Sequence, residues 1–429
     1  MSKNTDVKLR NQLIYQIFVR NFSEEGTFQA VRAQLDRIRE LGTDIVYLMP
    51  IHPIGKIARK GALGSPYAIS DYRAVNPEFG TLEDFRELVD DIHSHDMKCI
   101  IDVVYNHTSP DSVLSREHPE WFFHRPDGSF GNRVGDWTDI IDLDYSNKEL
   151  WKYQIETLCY WAELVDGFRC DVAPLIPIEF WLEARKAVEK VREGCIWLSE
   201  SVEPEFITYL RSQGLTALSD SEVYQAFDIC YDYDVYGEFV SVLNGSTPLE
   251  RFIEAINRQE TIFPANYVKL RFLENHDQTR AAFLIPDEAV LRSLTAFMFF
   301  QKGTAFVYAG QEYEVSHLPS LFDKDTVDYN TGKDISGLIK KLSAIKKEPV
   351  FAEGSYKVAS HSGSHIIASY NFKGKTALGV FPLKSSPALI NVDMPDGFYQ
   401  NELDGEKVEI FRGMLPSKGK AVIILSDNS

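Results

Sequence analysis

Four short segments of the chain put ionisable side chains where a folded protein ordinarily keeps apolar ones. They are Asp102 in CIIDVVYNH (99–107), Arg169 and Asp171 in GFRCDV (167–172), Glu200 at the end of CIWLSE (195–200), and Asp277 in FLENHD (272–277). Each interrupts or ends an apolar run of the kind that forms a buried strand. A buried charge is costly unless it is paired or hydrogen-bonded. One such acid reads as a cap or a structural ion pair. Four, accompanied by Arg169 and two Asn-His pairs (Asn106-His107 and Asn275-His276), read as a site.

The acids differ in their expected environments. Arg169 and Asp171 are two residues apart on a strand, so they share a face, and the cation is expected to lower the pKa of Asp171 and keep it charged, as a nucleophile must be. Glu200 follows an apolar stretch containing Trp197. Desolvation there is expected to raise its pKa and keep its proton, as a general acid requires. Two carboxyls pushed apart in pKa across a pocket are what glycosidic bond cleavage needs, and a retaining enzyme holds them ~5–5.5 Å apart. Asp277 adds a third negative charge facing a developing oxocarbenium ion. His107 and His276 are placed to donate hydrogen bonds to sugar hydroxyls.

Such a site needs strands whose ends converge. The runs LIYQIFVR (13–20), DIVYLMPI (44–51), KCIIDVVY (98–105), GFRCDVA (167–173), CIWLSE, VKLRFLEN (268–275) and TAFVYAG (304–310) alternate with amphipathic stretches. Two of these stretches are FQAVRAQLDRIRELG (28–42), apolar at Val31, Leu35, Ile38 and Leu41, and LEDFRELVDDIHSHD (82–96). With AFDICYDY (226–233) as the remaining strand, eight strand–helix units run to about residue 345. That alternation predicts a parallel sheet covered by helices, a closed (β/α)8 barrel with long loops, with an open doubly wound sheet as its competitor. In a barrel the catalytic residues sit at the C-terminal strand ends, where these four segments carry theirs.

The pattern changes after the helix-like GLIKKLSAIKKE (337–348). From Phe351 onward HIIASYNF, TALGVFPL and AVIIL alternate between turn-forming stretches, which predicts a small antiparallel all-β domain. The expected division is a barrel over 1–348 and a β domain over 349–429. Within the barrel, the polar and aromatic stretch 106–145 is read as a short inserted subdomain.

Composition narrows the function further. The 429 residues are 44% hydrophobic and 25% charged, values of an ordinary globular protein. Forty-five Lys and Arg against 63 Asp and Glu leave a net charge of −18, so there is no electrostatic case for binding nucleic acid or an anionic membrane. Five cysteines without a CxxC pair read as free thiols. The N-terminal 23 residues lack a signal-peptide pattern, and no run approaches the ~18 apolar residues of a membrane span. The expected setting is cytoplasmic and reducing. Nothing in the sequence sets an oligomeric state.

DVVYNH, GFRCDVA, WLSES and FLENHD, in that order, resemble the four signature segments of the α-amylase family, glycoside hydrolase family 13. SPYAISDYRAVNPEFGT (65–81) resembles its stretch after the second strand, and IIDLDY (140–145) the segment closing its inserted domain. The resemblance covers residues from about 12 to 345. It implies a retaining enzyme acting on α-1,4-glucans or maltodextrins, with Asp171 as nucleophile, Glu200 as acid/base and Asp277 as transition-state stabiliser. Tyr67 becomes the aromatic platform, and Asp102, His107, Arg169 and His276 the surrounding shell. α-Glucosidase, maltogenic and glucanotransferase activities remain open as siblings, and a non-catalytic binding subunit is the reading from another class.

The family also binds calcium through an Asn at the position of Asn106. Here the insert offers few acids (Asp111, Glu117, Glu120, Asp127, Asp136 and Asp139), and no acid-rich loop follows the first strand, which continues as NFSEEGTF. The expectation is therefore no required cofactor, with Asn106 as the one candidate calcium ligand. His93 and His95 read as solvated surface. Asp323, Asp325 and Asp328 take the bland reading of loop residues after the eighth strand, with a loop lining the pocket as the alternative, and not that of a metal site.

Overall fold

The computed structural model describes residues 4–135 and 137–427; Asp136, one of the acids of the insert, lies outside them. Eight parallel strands close into a barrel: β1 (Leu13–Ile17), β2 (Ile45–Leu48), β3 (Lys98–Val103), β4 (Gly167–Cys170), β5 (Ile196–Ser199), β6 (Ile229–Tyr231), β7 (Val268–Arg271) and β8 (Thr304–Tyr308). Each strand pairs with its sequence neighbours, and β8 pairs with β1 to complete the ring. The open-sheet alternative is excluded. All eight predicted strands are present, each shorter than its apolar run, because the residues beyond the strand end turn into the loops that carry the site.

Helices cover the barrel. Leu82–Ser94 starts at a reciprocal cap between Thr81 and Asp84 and buries Phe85, Leu88, Val89 and Ile92 against the sheet. The stretch 28–42, expected as one helix, breaks into Phe28–Arg32 and Leu35–Glu40 at Gln34, whose backbone is not helical (φ −111°, ψ 3°). Val31, Leu35 and Ile38 stay buried on both sides of the break. Apolar spacing alone does not register such an interruption.

The insert after β3 is held by a two-residue ladder between His107–Thr108 and Ile141–Asp142. Beyond the barrel, a four-stranded antiparallel sheet orders Ser355–His361, His365–Phe372, Lys375–Pro382 and Val422–Asp427 side by side. The short helix Pro349–Glu353 precedes it, where a strand had been expected from Phe351. Proline at the first helical position is a start signal that alternation overlooks. Phe300 meets Phe351, Tyr370 and Phe381 with ring centroids 5.1–5.6 Å apart, so an aromatic cluster welds this sheet to the barrel. Gly379 sits at that contact, where a Cβ would come 2.4 Å from the Phe381 ring.

His93 and His95 are partly covered and paired, with Asp166 at 2.7 Å and Asp36 at 3.1 Å, which corrects their reading as solvated residues. All five cysteines are free, and Cys99, Cys170, Cys195 and Cys230 are buried. Among the described residues no helix is long and apolar enough to cross a membrane.

Candidate active site

Register builds the centre of the site. Asp102 on β3 lies directly opposite Arg169 on β4, and Asp171 and Glu200 follow one residue beyond the ends of β4 and β5. The Arg169 guanidinium is fully buried and gathers all three carboxylates. Its Nη1 donates to Asp102 at 3.0 and 3.1 Å and to Asp171 Oδ1 at 2.9 Å, and its Nη2 lies 2.9 Å from Glu200 Oε1, an ion pair without hydrogen-bond alignment. Tyr47 and Tyr67 donate to the same Asp102 oxygen, at 2.5 and 3.0 Å.

The β7 segment closes the ring. Gln16 on β1 brings its amide 2.8 Å from His276 Nδ1, which turns the other ring nitrogen, Nε2, into the site. That nitrogen faces the Tyr67 hydroxyl at 2.6 Å and Asp277 Oδ2 at 3.0 Å. Tyr67 and His276 stack at 5.5 Å, so the expected aromatic platform is locked between Asp102 and the imidazole. Asn275 accepts from the backbone N–H groups of Asp277 and Gln278 at 2.9 and 3.1 Å, and this turn directs Asp277 into the cleft. Its side chain is 40% exposed, the most open of the four acids.

Backbone strain holds the acid. Val172, next to Asp171, adopts φ +35° and ψ 42°, a left-handed conformation that a β-branched residue resists. Its N–H thereby donates to Glu200 Oε2 at 2.8 Å. Strain of this kind persists only where the surroundings over-determine it.

The electrostatics correct the sequence reading. Burial, then the adjoining Glu200 carboxylate, push Asp171 well above the ordinary carboxylate range, with Arg169 opposing them. Glu200 is also raised, by burial against the pull of Arg169, with Asp277 adding to the rise. Arg169 does not single out Asp171, because one guanidinium is shared among three acids; the two carboxyls titrate as a unit. Asp277 is held low: partial burial works to raise it, and His276 and Arg169 outweigh that. Burial lowers His107 to about 4, so it is a neutral imidazole at pH 7.

A cavity of about 380 Å³ opens over these groups. The sequence reading missed several of its walls: Lys60, Trp137, Phe206, Tyr233 and Phe322. Lys60, Trp137 and Phe322 stand on loops, where no periodicity marks them, Tyr233 opens a helix just beyond a strand end, and Phe206 stands on the helix Pro204–Ser212. Gln16 had a signal, a lone amide in an apolar strand. A larger hollow, about 780 Å³, lies between residues 22–37 and 313–330 and contains none of the four acids.

Asp323 and Asp325 are loop staples, accepting from Ala62 N at 2.8 Å and Ser320 N at 2.7 Å. It is Leu321 and Phe322, not the acids, that this loop brings to the cavity. Asn106 is buried at the start of the insert. Its Nδ2 turns to His107 Nδ1 at 3.2 Å, and nearby Asp142 pairs with Arg133, whose N–H donates at 2.7 Å. Among the described residues no group of three or more His, Cys, Asp or Glu side chains is placed to hold a metal ion.

Residues 14–130 and 116–350 match the family model of the α-amylase catalytic domain, and 358–424 match that of the bacterial α-amylase C-terminal domain. A crystal structure of an α-amylase from Lactobacillus plantarum is 49% identical, covering 98% of this chain and all of that one, with a TM-score of 0.96. A noncanonic maltogenic α-amylase from Thermotoga neapolitana is 32% identical over 98% of this chain and 99% of that one, TM-score 0.87. The α-1,4-glucan:maltose-1-phosphate maltosyltransferase of Myxococcus xanthus is 34% identical over 235 residues, 49% of this chain. The matched part is 35% of that protein's length and 48% for its Rhodospirillum rubrum counterpart, so these curated relatives extend well beyond the match.

Proposed function

The chain belongs to the α-amylase family of enzymes acting on α-glucans, and from that premise we propose that it hydrolyses α-1,4-glucosidic bonds of starch-type glucans and malto-oligosaccharides with retention. The observation that carries this reading is the single guanidinium touching both Asp171 and Glu200 at 2.9 Å. It keeps the two carboxyls within the span of one side chain, as the short separation of a retaining pair requires.

In the first displacement Asp171 attacks the anomeric carbon while Glu200 gives its proton to the departing glycosidic oxygen. The aligned Arg169–Asp171 hydrogen bond favours charge on Asp171, so the proton shared by the pair goes to Glu200. Asp277 faces the oxocarbenium-like carbon with its charge kept by His276. Asp102 holds Arg169 and Tyr67, and neutral His107 offers a hydrogen bond to the bound sugar. Glu200 then takes a proton from water, which attacks the same carbon and releases the sugar.

A sugar hydroxyl or a phosphate in place of water would make the same intermediate a transferase, the activity in the name of the Myxococcus relative. The test is incubation with maltoheptaose and starch, with and without maltose 1-phosphate, and chromatographic resolution of products. Shortened products with retained anomeric configuration by NMR are expected. Products longer than the substrate would favour transfer, and inversion would exclude the covalent route.

A further inference from the structure

We propose that the Lys60–Asp139 ion pair, seated against Phe322, is a strap that closes the non-reducing end of the cleft and confines cleavage to chain ends. The proposal rests on the glucan-cleaving reading above and adds a specificity device to it.

Three loops converge on this point. Lys60 belongs to the loop after β2, Asp139 to the insert after β3, and Phe322 to the loop after β8; all three line the cavity that holds Asp171 and Glu200. Lys60 Nζ lies 2.9 Å from Asp139 Oδ1 and 6.0 Å from the Phe322 ring. The Asp139 side chain is 6% exposed, and Lys60 is its one charged partner among the described residues. A surface ion pair contributes little; a buried carboxylate that depends on one ammonium across a cavity is a different case, because losing the partner leaves its charge desolvated.

The loop bearing Lys60 is anchored for the purpose. Leu63 and Gly64 donate to the Phe322 carbonyl at 2.9 and 3.1 Å, and Ala62 to Asp323 at 2.8 Å. Gly61, at φ +63°, lies so close that a Cβ would come 2.8 Å from the Phe322 carbonyl oxygen. Arg59 Nε ties the loop back to the Gly55 carbonyl at 2.8 Å. On the facing side, Asn132 Nδ2 donates to the carbonyl of Trp137, which stands beside His107 with ring centroids 5.7 Å apart.

Direction follows from the chemistry. Glu200 must meet the glycosidic oxygen, so the leaving chain lies against the residues that follow it, Val202, Glu203 and Phe206. The ring being transferred lies over Tyr67, His107 and His276, and the rest of its chain continues away from Glu200. On that side Asp139 is close enough to act electrostatically on His107, and Lys60 spans to it. A long glucan threaded through the site has to displace the strap; a chain that ends there does not.

The experiment compares end-blocked, cross-linked starch, which only internal cleavage can dissolve, with maltotriose. The double variant Lys60→Gln/Asp139→Asn removes both charges, so no carboxylate is left unpaired, and melting temperature checks its fold. The ratio of rates, blocked starch over maltotriose, is expected to rise about tenfold or more. Because Lys60 is 36% exposed, high salt should raise the ratio in the parent enzyme and leave the double variant indifferent. An unchanged ratio in a folded double variant overturns the strap alone. Failure of the parent to cut maltotriose at all overturns the glucan-cleaving reading and the strap with it.

Discussion

Two buried charge clusters stand on the same barrel and differ in how far their carboxylates are balanced. At the catalytic mouth one cation, Arg169, serves Asp102, Asp171 and Glu200, with Asp277 beside them. On the outer face of β7, Lys269 pairs with Asp220 and with Asp234 at 2.7 Å, and Arg271 pairs with Asp232 at 2.7 and 2.8 Å. Gln259 joins the two pairs, donating to Asp232 and Asp234 at 2.9 Å and accepting from Arg271 at 2.9 Å. The second cluster has two cations for three carboxylates and fixes helices to the barrel. The first is short of positive charge, and the deficit is its function: it raises proton affinity, and it favours a positive charge arriving on the sugar. The nearer balance makes a strut; the larger deficit makes a catalyst.

The largest effects separate the clusters by what they damage. Asp171→Asn should cut turnover of maltoheptaose by about 10⁴-fold or more, with the melting temperature at neutral pH unchanged or higher. Glu200→Gln should be comparably impaired on starch yet retain activity on a glucosyl fluoride, whose leaving group needs no proton. Near-normal starch hydrolysis by Glu200→Gln would refute its role as the acid.

Next in size is the strut. Lys269→Met leaves Asp220 and Asp234 buried without their cation, which typically costs about 3–5 kcal/mol. Denaturant unfolding should register that loss, while activity per folded molecule stays near the parent's. A stable Lys269→Met protein with depressed kcat would mean that the outer cluster belongs to the catalytic apparatus.

This contrast also explains what could be read from sequence. The eight strands were legible because β-branched runs alternate with helical spacing, and the four acids because charge conflicts with such runs. The sharing of Arg169 was not. Spacing puts Arg169 and Asp171 on one face but is silent about β3 and β5, whose register brings in Asp102 and Glu200, so the expected low pKa of Asp171 was a local inference defeated by burial and then by a non-local neighbour. Lys60, Trp137 and Phe322 were hidden because loop closure has no period. The break at Gln34 and the strained Val172 depend on packing that no window of sequence contains.

A smaller effect tests the deficit directly. Asp171 and Glu200 have folded pKa values raised above those of an unfolded chain. The folded state therefore binds more protons in that window, and stability falls as pH rises through it. Asp277 and His107, both lowered, act in the opposite sense, losing stability as pH drops through their own ranges. The difference between parent and Asp171→Asn isolates the pair: as pH rises above the ordinary carboxylate range the parent should lose more melting temperature than the variant. Parallel profiles would show that the pair carries no excess proton affinity.

The smallest expected effect is that of chelation, and it asks whether a metal hides a third kind of cluster. Asp142 is buried, with one oxygen unpartnered and the other accepting from the Arg133 backbone at 2.7 Å; burial raises it to about 6. Arg133 reaches Asp142 at 3.5 Å and Asp144 at 4.0 Å, with its guanidinium over Phe123. The cation beside Asp142 is thus already a side chain, and a second positive charge of +2 beside it would meet repulsion. Exhaustive chelation should leave both maltoheptaose turnover and melting temperature within measurement error, whereas Arg133→Met should lower the melting temperature and make it fall more steeply as Asp142 ionises above about pH 6. A large loss on chelation, restored by calcium and not by magnesium, would put a metal where Arg133 is assigned, and the division into paired struts and an underpaired catalyst would then need a third member.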